Sequence, residues 1–80
     1  MKKNVFIIMC RPCTTQGYLN SRIVSVHETK KSALEVFDSL RYGHIANGNN
    51  VRISKKNERK MYVTTDTFTV CYEIEIHKCV

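Results

Sequence analysis

The residues able to do chemistry fall in three places. Cys10-Arg-Pro-Cys13 sets two thiols around the only proline, His77-Lys-Cys79 sets an imidazole and a thiol two residues apart, and Arg52 to Tyr62 gathers five cations beside one aromatic ring. A C-x-x-C pair does redox chemistry when it opens a helix, because the helix N-terminus lowers the pKa of the first thiol. Here it is followed by Thr-Thr-Gln-Gly and then by the β-branched Ile23-Val24, with no βαβ context and no later proline. Redox catalysis is not expected.

A zinc site would need Cys10, Cys13, His77 and Cys79 together. Cys71 is excluded as a partner of His77, since six strand residues span about 20 Å, far beyond a metal's bond lengths. In an antiparallel closure Cys10 stands at the opposite end of the sheet from Cys79. The last residues would have to bend across the sheet, or a second chain would have to supply them. The four residues are thus metal candidates that the spacing does not favour, and no cofactor is expected. The preferred reading of residues 10–13 is a turn shaped by Pro12, with Cys10 packed at a strand end as a small hydrophobe.

The basic stretch is the better lead. A lysine- and arginine-rich hairpin tip reaches a phosphate backbone, each contact releasing counterions, and a neighbouring ring offers a face for base stacking. Arg52, Lys55, Lys56, Arg59, Lys60 and Tyr62 are the expected nucleic-acid- or partner-binding residues, with Tyr18 and Phe68 as further stacking surfaces. The competing account is solvated surface, where lysines near a sheet edge deter edge-to-edge association. No RNP-like aromatic signature, C2H2 spacing or recognition-helix pattern accompanies the run.

Other chemistry is sparse. His27, His44 and His77 stand in different elements, without a nucleophile or a spaced carboxylate to pair with, and read as surface or capping residues. Glu73 and Glu75 share one strand face and read as a solvated pair. Gly17, Gly43 and Gly48 read as turn residues or helix stops, not as a phosphate-binding loop. With no acid, base and nucleophile converging, the chain is not expected to be an enzyme.

The elements that must position these residues are legible from periodicity. Val5 to Cys10 is apolar on both alternating faces, as in a central strand. Tyr18 to His27 reads as its hairpin partner, Thr29 as a helix N-cap, and Lys30 to Tyr42 as a helix ended by Gly43 or Gly48. Ala33, Leu34, Val36, Phe37 and Leu40 gather on its apolar face, with Lys31, Glu35, Asp38 and Tyr42 outside. Val51–Ser54 and Met61–Thr64 form a second hairpin, and Thr67 to Ile76 alternates, with Phe68, Val70, Tyr72, Ile74 and Ile76 on one side. The order ββαβββ predicts a single α+β domain over 1–80, a two-layer sandwich of a mostly antiparallel sheet with the helix on one face. The first and last strands run oppositely and are expected as neighbours near the middle. The run SVHETKKSALEVFDSL is common in small α+β proteins and assigns no family.

Eighty residues at 42 % hydrophobic and 25 % charged make an ordinary globular domain. The longest apolar run is too short to span a bilayer, and no signal-peptide pattern is present. Four cysteines without export point to thiols that stay free or bind metal in a reducing, cytoplasmic setting. The net charge of +6 is uneven. Residues 1–27 hold Lys2, Lys3, Arg11 and Arg22 with no acid, residues 51–65 hold five cations against Glu58, and the last strand is mildly acidic.

Val5, Ile7 and Met9 occupy one face of the first strand and Phe6, Ile8 and Cys10 the other. One helix covers only one sheet face, so the second apolar face needs a cover from another protein or a twin subunit. The first expectation is a small non-enzymatic cytoplasmic protein that docks on a protein or nucleoprotein. It would act as an inhibitor or adaptor of the kind phages and mobile elements encode, anti-CRISPR-like inhibitors included. The alternatives are a nucleic-acid-binding module using the basic 52–60 hairpin and a zinc-stabilised interaction domain. A homodimer through the second sheet face is a further expectation, and no membrane partner is expected.

Overall fold

The computed structural model describes residues 3–13, 21–56 and 59–79. Gly17, Tyr18 and the start of the expected return strand lie outside the described residues, as do tip residues 57–58. Five strands form one antiparallel sheet among the described residues: β1 (Lys3–Pro12), β2 (Arg22–His27), β3 (Asn50–Ile53), β4 (Lys60–Thr64) and β5 (Thr69–Cys79). Helix α1 (Lys30–Ala46) packs on one side. The spatial order is β2-β1-β5-β4-β3, so β1 and β5 sit side by side near the centre, as expected. Their ladder runs from Lys3 opposite Cys79 to Pro12 opposite Val70.

β1 runs longer than its apolar stretch predicts, and this corrects the reading of residues 10–13 as a turn. Arg11 pairs with Cys71, Pro12 with Val70, and the Cys13 amide donates to the Thr69 carbonyl at 2.8 Å. Because Cys13 donates towards β5, the missing amide of Pro12 falls on the opposite side of the strand. The pairing with β2 has already ended there, at Cys10 opposite Arg22. A proline is tolerated where no ladder donor is required. The β1–β2 register shifts between Ile8 and Met9, which leaves Val24 as the extra residue of a bulge.

The helix starts as predicted. Thr29 is extended (φ −125°, ψ 150°) and its hydroxyl accepts from the Ser32 amide at 3.1 Å. It continues through Gly43 to Ala46 and stops at Gly48, whose φ of +82° only glycine adopts cheaply. There the Gly48 amide donates to the Ile45 carbonyl at 3.0 Å and the Asn49 amide to that of His44 at 3.0 Å, a Schellman closure. Beyond the predicted end at Tyr42, His44 holds the last turn to the sheet. Its Nε2 lies 3.2 Å from the Tyr72 hydroxyl and its Nδ1 3.1 Å from the Asn49 side-chain amide. The Asn49 amide donates, so Nδ1 accepts and Nε2–H donates to Tyr72.

Alternation decides the core. Ile8 and Cys10 of β1, Met61 and Val63 of β4, and Tyr72 and Ile74 of β5 are buried against Ala33 and Phe37. Leu34, Val36 and Leu40 join from the helix, and Phe6, Val51, Ile53 and Val70 from the sheet. Phe68 departs from its predicted place. It precedes β5 in a turn held by Thr65, whose amide donates to the Phe68 carbonyl at 2.8 Å, and it stays half exposed. His27 is not plain surface either: its Nδ1 lies 2.9 Å from the Ser32 hydroxyl and its Nε2 2.7 Å from that of Ser25, tying β2 to the first helical turn.

Candidate nucleic-acid interface

No described element packs on the sheet face opposite α1. Strand registers place its residues in rows. Val26, Ile7 and Glu75 form one row, Ile23, Met9, Glu73 and Lys60 the next, and Arg11, Cys71, Tyr62 and Arg52 a third. The face is thus divided. Its β2–β1 half is apolar, and its β4–β3 half is cationic around Tyr62.

Arg11 marks the boundary. Its guanidinium bonds Glu73 at 3.1 Å and also bonds Glu75, while His77 Nε2 lies 3.0 Å from the other Glu75 oxygen. Glu73 and Glu75 are therefore not the solvated pair that the alternation predicts. The Arg11 hydrogen bond, helped by His77, holds the Glu75 carboxyl below its ordinary range, and Glu75 in turn raises Arg11. Beside Arg11 in the ladder, Cys71 is buried on this face, and burial pushes its thiol up to about 11. It stays a neutral thiol at neutral pH.

The metal candidates are not brought together. In an extended strand, residues three apart face opposite sides. Cys10 is buried under the helix and Cys13 is exposed. His77 stands opposite Val5, and Cys79 opposite Lys3, seven residues along β1 from Cys10 and so roughly 23 Å away. No cluster of three or more metal-binding side chains occurs among the described residues.

The basic candidates do converge. Tyr62 projects from the open face with the Arg52 guanidinium carbon and the Lys60 ammonium each 5.6 Å from its ring centroid. Arg52 is its direct cross-strand partner and Lys60 lies two residues back on the same strand face. Two hollows flank this ring. One, of about 380 Å³, is lined by Arg52, Ile53, Ser54, Lys55, Lys56 and Tyr62. The other, of about 250 Å³, is lined by Asn50, Arg52, Tyr62, Thr64 and Thr69. The tip is shaped by its serine: the Ser54 amide donates to the Lys60 carbonyl at 2.9 Å, and the Ser54 hydroxyl accepts from the Lys56 amide at 3.3 Å. Lys60 is raised above its ordinary value, chiefly by Cys71 and then by Tyr62, whose ionised forms favour the cation. Arg59 stands apart from the other five: half-buried, it lines neither hollow, and its carbonyl accepts from the Ile74 amide at 2.9 Å.

The sequence reading missed Asn50, Thr64 and Thr69 as members of this face. The signal was present, because Asn50 and Arg52 alternate together, as do Tyr62 and Thr64, and pairing these strands puts all four on one side. Arg11 was missed because its role depends on how far β1 extends. Comparison with protein-family models, curated proteins and solved structures finds no match, so the chemistry of this face stands on its own residues.

Proposed function

We propose that this is a small non-enzymatic binding protein that docks on a nucleoprotein, using the cationic β3–β4 end of the open sheet face for the nucleic acid. One observation carries the reading: Arg52, Lys55 and Lys56 share a single hollow with Tyr62, and Lys60 flanks the same ring. Cations so placed bind phosphate without sequence readout. A protein that occupies a nucleoprotein and does no chemistry acts by exclusion, as an inhibitor or adaptor. The free thiols of Cys10, Cys13 and Cys71 suit a reducing cytoplasm, and no helix among the described residues is long and apolar enough to cross a membrane. The test is fluorescence anisotropy with mixed-sequence oligonucleotides. Wild type is expected to bind and Lys55→Ala/Lys56→Ala to bind several-fold more weakly; binding unaffected by the pair would remove the reading.

A second reading rests on the other half of the face. Ile23 and Val26 are 58 % and 56 % exposed beside the half-buried Ile7 and Met9. A protein surface docked there, a second copy of the chain included, would bury that strip. Sedimentation over a hundredfold concentration range, with Val26→Lys as control, tests the second-copy form of this reading.

A further inference from the structure

We infer that the nucleic acid taken by this face is single-stranded, with one base stacked on Tyr62; this rests on the nucleic-acid reading above. The phosphate-binding cations alone do not distinguish a duplex from a single strand. Tyr62 does. Its ring stands on a sheet surface, on the strand next to the β3 edge, where the backbones of β3, β4 and β5 form a pleated floor. A duplex presents its phosphates to such a floor and keeps its base faces stacked inside. Only an unpaired base can lie on the ring, taking the place of Arg52 or Lys60, which lie over it in the free protein.

The surroundings fit one strand laid across β4. On one side of the ring, Lys55 and Lys56 make the larger hollow cationic, which suits a phosphate. On the other, the hydroxyls of Thr64 and Thr69, 3.2 Å apart, and the Asn50 amide make the smaller hollow polar and uncharged. These groups are hydrogen-bond partners for a base edge or sugar. Arg52 and Tyr62 line both hollows, so the phosphate and base positions are adjacent, as in consecutive nucleotides. Among the described residues, the acids of the face are held towards β1. Glu75 is bonded to Arg11 and His77, and Glu73 to Arg11, on the β1 side. Glu73 also stands opposite Lys60 in the ladder, so Lys60 is the cation most shared with the protein itself.

The experiment compares three labelled 12-mers by anisotropy: a single strand, its duplex, and the same strand with every base removed to leave the sugar–phosphate chain. Wild type is expected to prefer the intact single strand over both others. Tyr62→Phe should keep that preference, since it keeps the ring. Tyr62→Leu, which keeps an apolar side chain but no ring and whose folding is checked by its melt, should lose roughly 5- to 150-fold on the intact strand, the loss of one stacked base, and almost nothing on the abasic one. Equal binding of all three probes, or a Tyr62→Leu variant that binds like wild type, overturns the inference. If binding in that case still depends on Lys55 and Lys56, the nucleic-acid reading survives without it. Binding of no probe removes both.

Discussion

Removing cations from the β3–β4 tip should change how steeply binding depends on salt, and the size of the change follows from the count. Arg52, Lys55, Lys56 and Lys60 are the cations grouped around Tyr62. If each neutralises one phosphate of a single strand, log K falls with log salt at a slope of about −2.8. Raising salt from 50 to 200 mM would then weaken binding about 50-fold. Lys55→Ala/Lys56→Ala leaves two contacts, a slope of about −1.4 and a loss of about 7-fold over the same range. Since Glu73 partly answers Lys60 across the ladder, the wild-type slope is expected at or slightly below the full count. Tyr62→Leu should lower affinity at every salt concentration without altering the slope, because the ring carries no charge. Anisotropy titrations at five salt concentrations give all three slopes. A wild-type slope no steeper than that of the double variant would refute the placement of phosphates at the tip, whatever the affinity.

Three further outcomes follow from the fold. Phe37 is fully buried between helix and sheet, so Phe37→Ala should cost about 3–5 kcal/mol, read by urea denaturation, enough to unfold much of so small a domain. The Glu75 carboxyl is held below its unfolded value by Arg11, so its contribution is present in full above about pH 4.3. It is lost as pH falls through the lower folded value. Wild type should therefore lose more stability between pH 5 and 3 than Arg11→Met does, and parallel curves would show the ion pair to be idle. Cys71 has the opposite sign: its folded pKa near 11 lies above the ordinary thiol value of 9.0. Stability should then fall by on the order of 2 kcal/mol as pH rises through that window, and Cys71→Ala should flatten the fall.

How much of this was readable in advance depended on the distance over which each signal acts. The five helix residues expected to face the core, Ala33, Leu34, Val36, Phe37 and Leu40, all do so, because a 3.6-residue period is written within a few turns. The cap at Thr29 was legible for the same reason, whereas the placing of β1 beside β5 followed from counting alternating strand directions. The end of the helix was less so. Gly43 offered a nearer stop, and only the contacts of His44 with Tyr72 and Asn49, one of them made across the fold, favour carrying on to Gly48. Pro12 misled in the same way. As a local signal it marks a turn, yet in the sheet its missing amide falls where β2 has already ended.

The charge pattern shows what the register adds to such local signals. In sequence, the two basic blocks and the acidic last strand look like separate surfaces. In the sheet, acidic β5 lies between basic β1 and basic β4, and its carboxylates have cations on both sides. Arg11, 62 residues from Glu73, takes both Glu73 and Glu75. It does so only because β1 runs past Cys10, which puts Arg11 level with Cys71. Had residues 10–13 formed a turn, Arg11 would have left this row, and Glu73 would have been answered chiefly by Lys60, its ladder partner. The cation beside Tyr62 would then have been spent inside the protein. The extension of β1 through Pro12 thus does more for the candidate interface than any thiol of the C-x-x-C: it draws the acids of the face to one side and leaves Tyr62 among cations on the other.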